Sequence, residues 1–495
     1  MKISKLLILT CVYLIVPNLL FLYFWFDLEF SILSICFFLT GIILLYPKLD
    51  GDFFSQKIEI KYLVFCILLS SFFVIISGTG DFLPQVYDFW AHNAKLNNLL
   101  DSEWPLIIKE NNTFLAYYFG YYITPSGIAY LTGISLKLMN FISITFGLAL
   151  AFIWTLIYFK YNIKKLLIAS IISTPSIYFL NLVSSGFYSK IVFLENKMWL
   201  HDFFKALQWE PNQLIPSIIG ASLVLNEFNK CNRIVYSILL IPVFLIWSPF
   251  LSISITLIII INYLWIFLIK KDFSVFKNSR FLLALFLITL SIIPIAVFFN
   301  SNLTATKFIF MPTYHEKNWA VSFFLFCFLN IFIFYFFSYQ KNSTWNNKIF
   351  ISSFFISIIL CATIRIGVYN DFLIKTSIFP ILIIHFCFAE QFYESFQKGK
   401  KKLLISIVFL FSITGTLSNI LNQFTFLKIK DKASIYHLNK IKNFDKFKSI
   451  DKVLIEKYSH KEALQYRGSM QSIYAKYFAK KTLEKNLNSF KKPHH

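Results

Sequence analysis

Between Ser77 and Leu115 the chain reads SGTGDFLPQVYDFWAHNAKLNNLLDSEWPLIIKENNTFL. This stretch holds Asp81, Asp88, His92, Lys95, Asp101, Glu103, Lys109 and Glu110. The Leu83-Pro84 step suits a helix start, because Pro is tolerated in a first turn. From there Asp88, His92 and Lys95 stand at i, i+4 and i+7 and share one helix face. A carboxylate grouped with an imidazole and an ammonium has the parts for general-base chemistry, since its neighbours can tune its proton affinity. Asp81 follows an apolar segment that ends near residue 78. A carboxylate at such a water–lipid boundary can serve as base or metal ligand toward a lipid-linked substrate. The plainer reading is structural: Asp81 and Asp88 cap the helix start and pair with Lys95.

Two further segments carry reactive side chains. The first holds His201, Asp202, Lys205, Trp209, Glu210, Pro211 and Gln213. His201-Asp202 reads either as a metal pair or proton relay, or as an ordinary surface pair, with Trp209 and Pro211 anchoring the loop at the interface. The second is TIRIGVYNDFLIKTSIFP, with Arg365, Asn370, Asp371 and Lys375. An arginine at a span end is costly unless it is paired or faces a polar cavity. Arg365 and Lys375 suit the phosphate or pyrophosphate of a lipid carrier, whereas an Arg365–Asp371 pair would merely close the bundle. Tyr314, His315 and Glu316 are weaker candidates for the same cavity, and His385, in mid-span, reads as a packing residue.

The elements that position these groups are membrane helices. Hydrophobic residues make up 57% of the chain, 61 residues are Phe, charged residues are 15%, and mean hydropathy is +0.63. Soluble domains carry roughly 25% charged residues. Apolar runs of about 18 residues or more recur, enough to cross a hydrocarbon core of about 30 Å, and they lack the short alternating pattern of a β-barrel. The net charge of +22 comes from basic residues in short loops beside spans and in the tail. That placement signals orientation and contact with anionic membrane lipid, not nucleic acid. All seven cysteines except Cys231 lie in apolar runs and show no metal spacing, so no disulfide is expected. Residues 1–27 read as a first span, too long for a signal peptide.

Spans are expected near 5–26, 30–47, 61–78, 139–158, 164–182, 212–228, 233–248, 250–269, 281–299, 318–338, 348–365, 373–391 and 402–421. With the N-terminus inside, the basic loops fall on the cytoplasmic side. This requires that 114–136, rich in Tyr and broken at Pro125 and Gly127, not cross the membrane, or enter it and return. The expected architecture is an all-α, polytopic membrane helix bundle of about thirteen spans. Residues 1–425 form the membrane domain, with 79–136 as a first external loop with interfacial helices. Residues 426–495 form a small, basic C-terminal helical tail. No internal repeat is visible.

Several segments resemble an uncharacterised bacterial membrane family related to the GT-C superfamily of glycosyltransferases. They are YDFWAHNAKLNNLLDSEWPLI, YYFGYYITPSGIAYLTG, LQWEPNQLIPSIIGASLVL, IRIGVYNDFLIKTSIFPIL and LQYRGSMQSIYAKYFAK. That superfamily places an acidic residue near a span end in its first external loop, followed by a helix along the membrane. Asp81 and Asp88 with a helix over 84–100 resemble this layout. The resemblance implies a polyprenyl-phosphate-linked sugar as donor, a glycan, lipid or protein acceptor, and a site facing the outside of a bacterial cytoplasmic membrane. It gives Asp88 or Asp81 the role of base and Arg365, with Lys375 or Lys95, the role of holding the lipid phosphate. His92, Asp371 and His201 complete the substrate-binding set. The resemblance leaves room for a divalent ion, Mg or Mn, as cofactor, but the superfamily's tight Asp-x-Asp and Asp-Glu pairs are absent here, so no cofactor and no metal ligand is assigned. Two alternatives stand beside this reading. A transporter or flippase of lipid-linked saccharides would show charges deep in spans and repeat symmetry. A polysaccharide polymerase would show Arg-rich external loops, whereas the arginines are only Arg233, Arg280, Arg365 and Arg467.

Overall fold

The computed structural model describes residues 1–45, 51–86, 88–108, 112–173, 177–231, 234–271, 277–303, 309–313, 318–341, 345–366, 370–398, 402–428 and 449–480. Helices α1 (Ile3–Trp25) and α2 (Leu28–Leu45) open the chain, and a shorter apolar helix α3 (Ile60–Ile76) follows. Next come α4 (Phe89–Asp101), strands β1 (Ile107–Ile108) and β2 (Thr113–Leu115), and α5 (Gly120–Thr132). The middle of the chain forms α6 (Leu136–Tyr158), α7 (Ile163–Ile171), α8 (Phe203–Trp209), α9 (Pro211–Cys231) and α10 (Leu240–Leu245). Beyond it lie α11 (Pro249–Lys270), α12 (Ser279–Asn300), β3 (Ile309–Phe310) and α13 (Trp319–Tyr339), which contains a π-helical step at Phe328–Phe332. Then follow α14 (Trp345–Ala362), β4 (Ile364–Arg365), α15 (Asp371–Lys398), α16 (Lys402–Lys428), α17 (Ile450–Glu456) and β5 (Arg467–Gly468).

The described residues are about 79% helical and form an all-α bundle. Among the described residues eight helices are long and apolar enough to cross a membrane: α1, α2, α6, α11, α12, α13, α15 and α16. This is a multi-pass membrane protein. The expected spans at 164–182 and 233–248 do not form long helices. α7 stops at Ile171, and α10 has six residues after a short 3-10 turn at Tyr236–Leu239. α9 is long, but its ends carry Asn212, Gln213, Asn226 and Glu227, which lower its hydropathy below that of the other eight. α5 has 13 residues, about 20 Å at 1.5 Å per residue, and is too short to cross a core of about 30 Å. It ends at Gly133, whose φ of 68° is the left-handed cap that favours glycine.

Two spans form the centre. α15 is 94% buried over its apolar stretch and α6 is 78% buried, whereas α16 is only 22% buried. α16 therefore turns Leu403, Leu410 and Leu421 outward, toward where lipid would lie. α6 packs on α3 and α9, and α9 packs on α15. The approach between α1 and α6 is close enough that a Cβ on Gly147 would collide with the Tyr13 ring.

The C-terminal tail is woven into the first loop. β1, β2 and β5 make one antiparallel sheet, with Phe114 opposite both Ile107 and Gly468, and Leu115 opposite Arg467. Gly468 is required there because the Phe114 ring occupies the space of any side chain. α17 packs on α4, and Ile450 N–H donates to Asn98 Oδ1 at 2.6 Å. Asn302 Nδ2 donates to both Ala116 O (3.1 Å) and Gln465 O (2.7 Å), stitching the two strands. Tyr474 OH donates to Trp25 O at 2.7 Å, which fixes the tail to the end of α1.

Candidate functional site

Helix α4 begins later than the expected 84–100. Gln85 and Val86 are still outside it, and Asp88 occupies the N-cap position without making a side-chain cap. Its carboxylate is thus released from the structural task that a helix-start aspartate usually performs. Asp88, His92 and Lys95 do share a face of α4, and that face meets α5, the α8–α9 corner, the start of α15 and the tail.

His92 is buried and both ring nitrogens are engaged. Nε2 lies 3.2 Å from Trp209 O and Nδ1 lies 2.6 Å from Tyr122 OH. A carbonyl oxygen only accepts, so Nε2 carries the hydrogen and Nδ1 accepts from the tyrosine. Burial, then the neighbouring Lys95 charge, hold the imidazole well below its ordinary pKa and keep it neutral. Tyr122 takes the ring's lone pair, which leaves the neutral His92 no acceptor for a further proton donor.

Lys95 is 1% exposed. Its Nζ lies 3.7 Å from the centroid of the Tyr117 ring, 4.6 Å from Tyr122 and 5.2 Å from Tyr466. Burial pulls its pKa well down, and the Asp88 carboxylate opposes that pull. The aromatic faces offset part of the lost hydration of an ammonium.

Asp88 keeps partial solvent access but is densely surrounded. Desolvation pushes its carboxyl up to about 7; Lys375 and Lys95 pull it down, while Glu210 and Asp371 push it further up. A carboxylate with that pKa takes up and releases a proton near neutral pH. Lys375 Nζ pairs with Asp371 Oδ1 at 2.9 Å, one turn apart on α15. Glu210 Oε2 meets His201 Nδ1 at 3.0 Å. Burial pushes the Glu210 carboxyl up, but His201, Lys375 and Lys205 outweigh this and hold it below the usual range. Asp202 is the N-cap of α8, accepting from Lys205 N–H at 2.9 Å.

Of the residues singled out in sequence, Asp88, His92, Lys95, Asp371, Lys375 and His201 thus belong to one electrostatic cluster. Asp81 does not join it visibly: its carboxylate pairs with Lys137 at 3.0 Å, in a turn where its φ is 60°. Arg365 sits on β4, opposite Ile309 of β3, and is not among the charges that act most strongly on Asp88. Tyr314, His315 and Glu316 lie outside the described residues. The mid-span His385 packs edge-on against Phe334.

Sequence reasoning read Tyr117, Tyr118 and Tyr122 as residues of an interfacial helix and gave them, Gln213 and Tyr466 no part in the site. Tyr118 OH receives hydrogen bonds from Tyr117 OH (2.8 Å), Gln213 Nε2 (3.3 Å) and Lys375 Nζ (3.5 Å). The tyrosine density of YYFGYY was the visible signal; Tyr466, hundreds of residues away, had none. Among the described residues no group of three or more His, Cys, Asp or Glu is arranged to hold a metal ion. Glu210 pairs with the His201 ring and Asp371 with Lys375. No family model, no curated protein and no solved structure matches the chain.

Proposed function

We propose that the protein is a membrane glycosyltransferase moving a sugar from a polyprenyl-phosphate donor to an acceptor hydroxyl on the outer face of a bacterial cytoplasmic membrane. The observation that carries this reading is Asp88: a partly accessible carboxyl lifted to about 7, facing a paired Lys375–Asp371 at the end of the most buried span. Such a carboxylate accepts the proton of an attacking hydroxyl at neutral pH. The hydroxyl oxygen forms the new bond to the anomeric carbon as its O–H proton passes to Asp88. The bond from that carbon to the phosphate oxygen breaks, its electron pair leaves with the lipid phosphate, and the configuration inverts. Lys375 stands on the same cluster and offsets the charge on the departing phosphate.

Lys95 acts through the charge it sets against Asp88, and His92 ties α4 to Trp209 and Tyr122; neither acts on the substrate. Lys95 is enclosed by three tyrosines, and both nitrogens of His92 are occupied. The acceptor, whether glycan, lipid or protein, is defined by its hydroxyl alone.

The test is made in cells lacking the chromosomal gene. Restoring the wild-type chain should add one sugar mass to a surface glycan and deplete a lipid-linked sugar. Unchanged surface glycans and lipid-linked pools would contradict the reading. For orientation, cysteine at the exposed position Ser102 should react with an impermeant maleimide in intact spheroplasts, while the exposed Cys231 should react only after lysis.

A further inference from the structure

Tyr118 is 7% exposed, and its ring stacks on Tyr117 with centroids 4.0 Å apart. Its phenol oxygen is approached by three donors: Tyr117 OH, Gln213 Nε2 and Lys375 Nζ. A phenol oxygen has two lone pairs and one hydrogen. The three donors exceed the two lone pairs, so its accepting capacity is full, and its own O–H finds no protein acceptor among the described residues. Lys375 is in a matching position. Its ammonium has three hydrogens, with Asp371 and Tyr118 as the acceptors among the described residues. Two donors 3.5 Å apart, each with a hydrogen to give, thus stand together in the charged cluster that holds Asp88. Gln213 adds a buried Oε1 with no partner, on a side chain already fixed to Tyr118.

We infer that Tyr118 is a substrate-contact residue whose hydroxyl donates a hydrogen bond to the phosphate of a lipid phosphate held at Lys375. The inference rests on the proposed lipid-phosphate donor and specifies how that site tells a phosphate monoester from the corresponding alcohol. No proton is transferred: Tyr118 keeps its hydrogen and shares it with a phosphate oxygen. Tyr117 and Gln213 orient the phenol by occupying its lone pairs, so the O–H can point only toward the ligand. A hydrogen bond to a charged group contributes more than a neutral one, which is why its loss should be visible in affinity.

The experiment measures binding of farnesyl phosphate, farnesol and inorganic phosphate to the purified full-length chain in nanodiscs. The wild type should bind farnesyl phosphate at least about 10-fold more tightly than farnesol. Tyr118→Phe keeps the stacked ring and should erase about 10-fold of that preference while leaving farnesol affinity unchanged. Tyr118→His, which restores an N–H donor, should recover part of it and stands in if the Phe variant fails to fold. If Tyr118→Phe retains the full preference, the assignment of Tyr118 is overturned and the proposed function stands. If the wild type does not distinguish farnesyl phosphate from farnesol, both are overturned. If inorganic phosphate competes as strongly as farnesyl phosphate, the ligand is a free anion and the lipid source is overturned.

Discussion

Tyr466 of the C-terminal tail stacks on Tyr117 of the first loop, with ring centroids 5.0 Å apart and planes 15° from parallel. The contact closes the cage around Lys95. The tail is therefore part of the site wall, and the sheet β1–β2–β5 with the Asn302 bridge holds it there.

This gives a first expectation. Tyr466→Phe retains the ring face and should melt close to the wild type. Tyr466→Leu removes an aromatic pair and a cation–π contact and should cost about 1–3 kcal/mol, read as a lower melting temperature. Equal damage from both variants would show that the hydroxyl, not the ring, matters.

Lys95 lowers the pKa of Asp88, because its ammonium favours the carboxylate. Lys95→Met removes that cation but preserves length and apolar packing. The acid limb of the activity profile, expected near 7, should move upward by about one pH unit. A limb that stays in place or moves down would refute the coupling.

What could be read in the sequence follows from the range of the interaction. The i, i+4, i+7 spacing of Asp88, His92 and Lys95 and the Asp371–Lys375 step are local, and helix periodicity alone places each set on one face. The apolar length of α1, α6 and α15 likewise marked them as spans. The Lys95 cage depends on Tyr117, Tyr122 and Tyr466 meeting through a three-stranded sheet of two- and three-residue strands. Such strands leave no alternating pattern to detect. Asp81 looked equivalent to Asp88 because both flank a helix start, and the Lys137 contact sets it apart. The expectation of a span at 233–248 was drawn from apolar composition. That composition does not reveal that the segment breaks into a 3-10 turn and a six-residue helix.

Protein stability should carry the same carboxyl. The folded-state pKa of Asp88, about 7, lies above its reference of 3.8. The folded chain thus binds the proton more tightly than the unfolded chain. The stabilisation from that proton is complete below about 3.8, declines as pH rises, and is lost above about 7. Asp88→Asn has no such proton, so its melting temperature relative to the wild type should rise between pH 4 and 7 and level off above. A difference that is flat with pH, or that falls, would mean the carboxyl is not strained by burial.

The most direct measurement is the rate of sugar transfer by Asp88→Asn in proteoliposomes supplied with lipid-linked sugar extracted from the native membrane. Asn keeps the shape and hydrogen-bonding edge of the side chain but cannot accept the acceptor's proton. The expected result is a kcat lower by at least about 10²-fold, with donor binding unchanged and the released lipid phosphate falling in step with the glycan product. Transfer at the wild-type rate by Asp88→Asn would contradict the assignment of Asp88 as the base and, with it, the proposed reaction at this site.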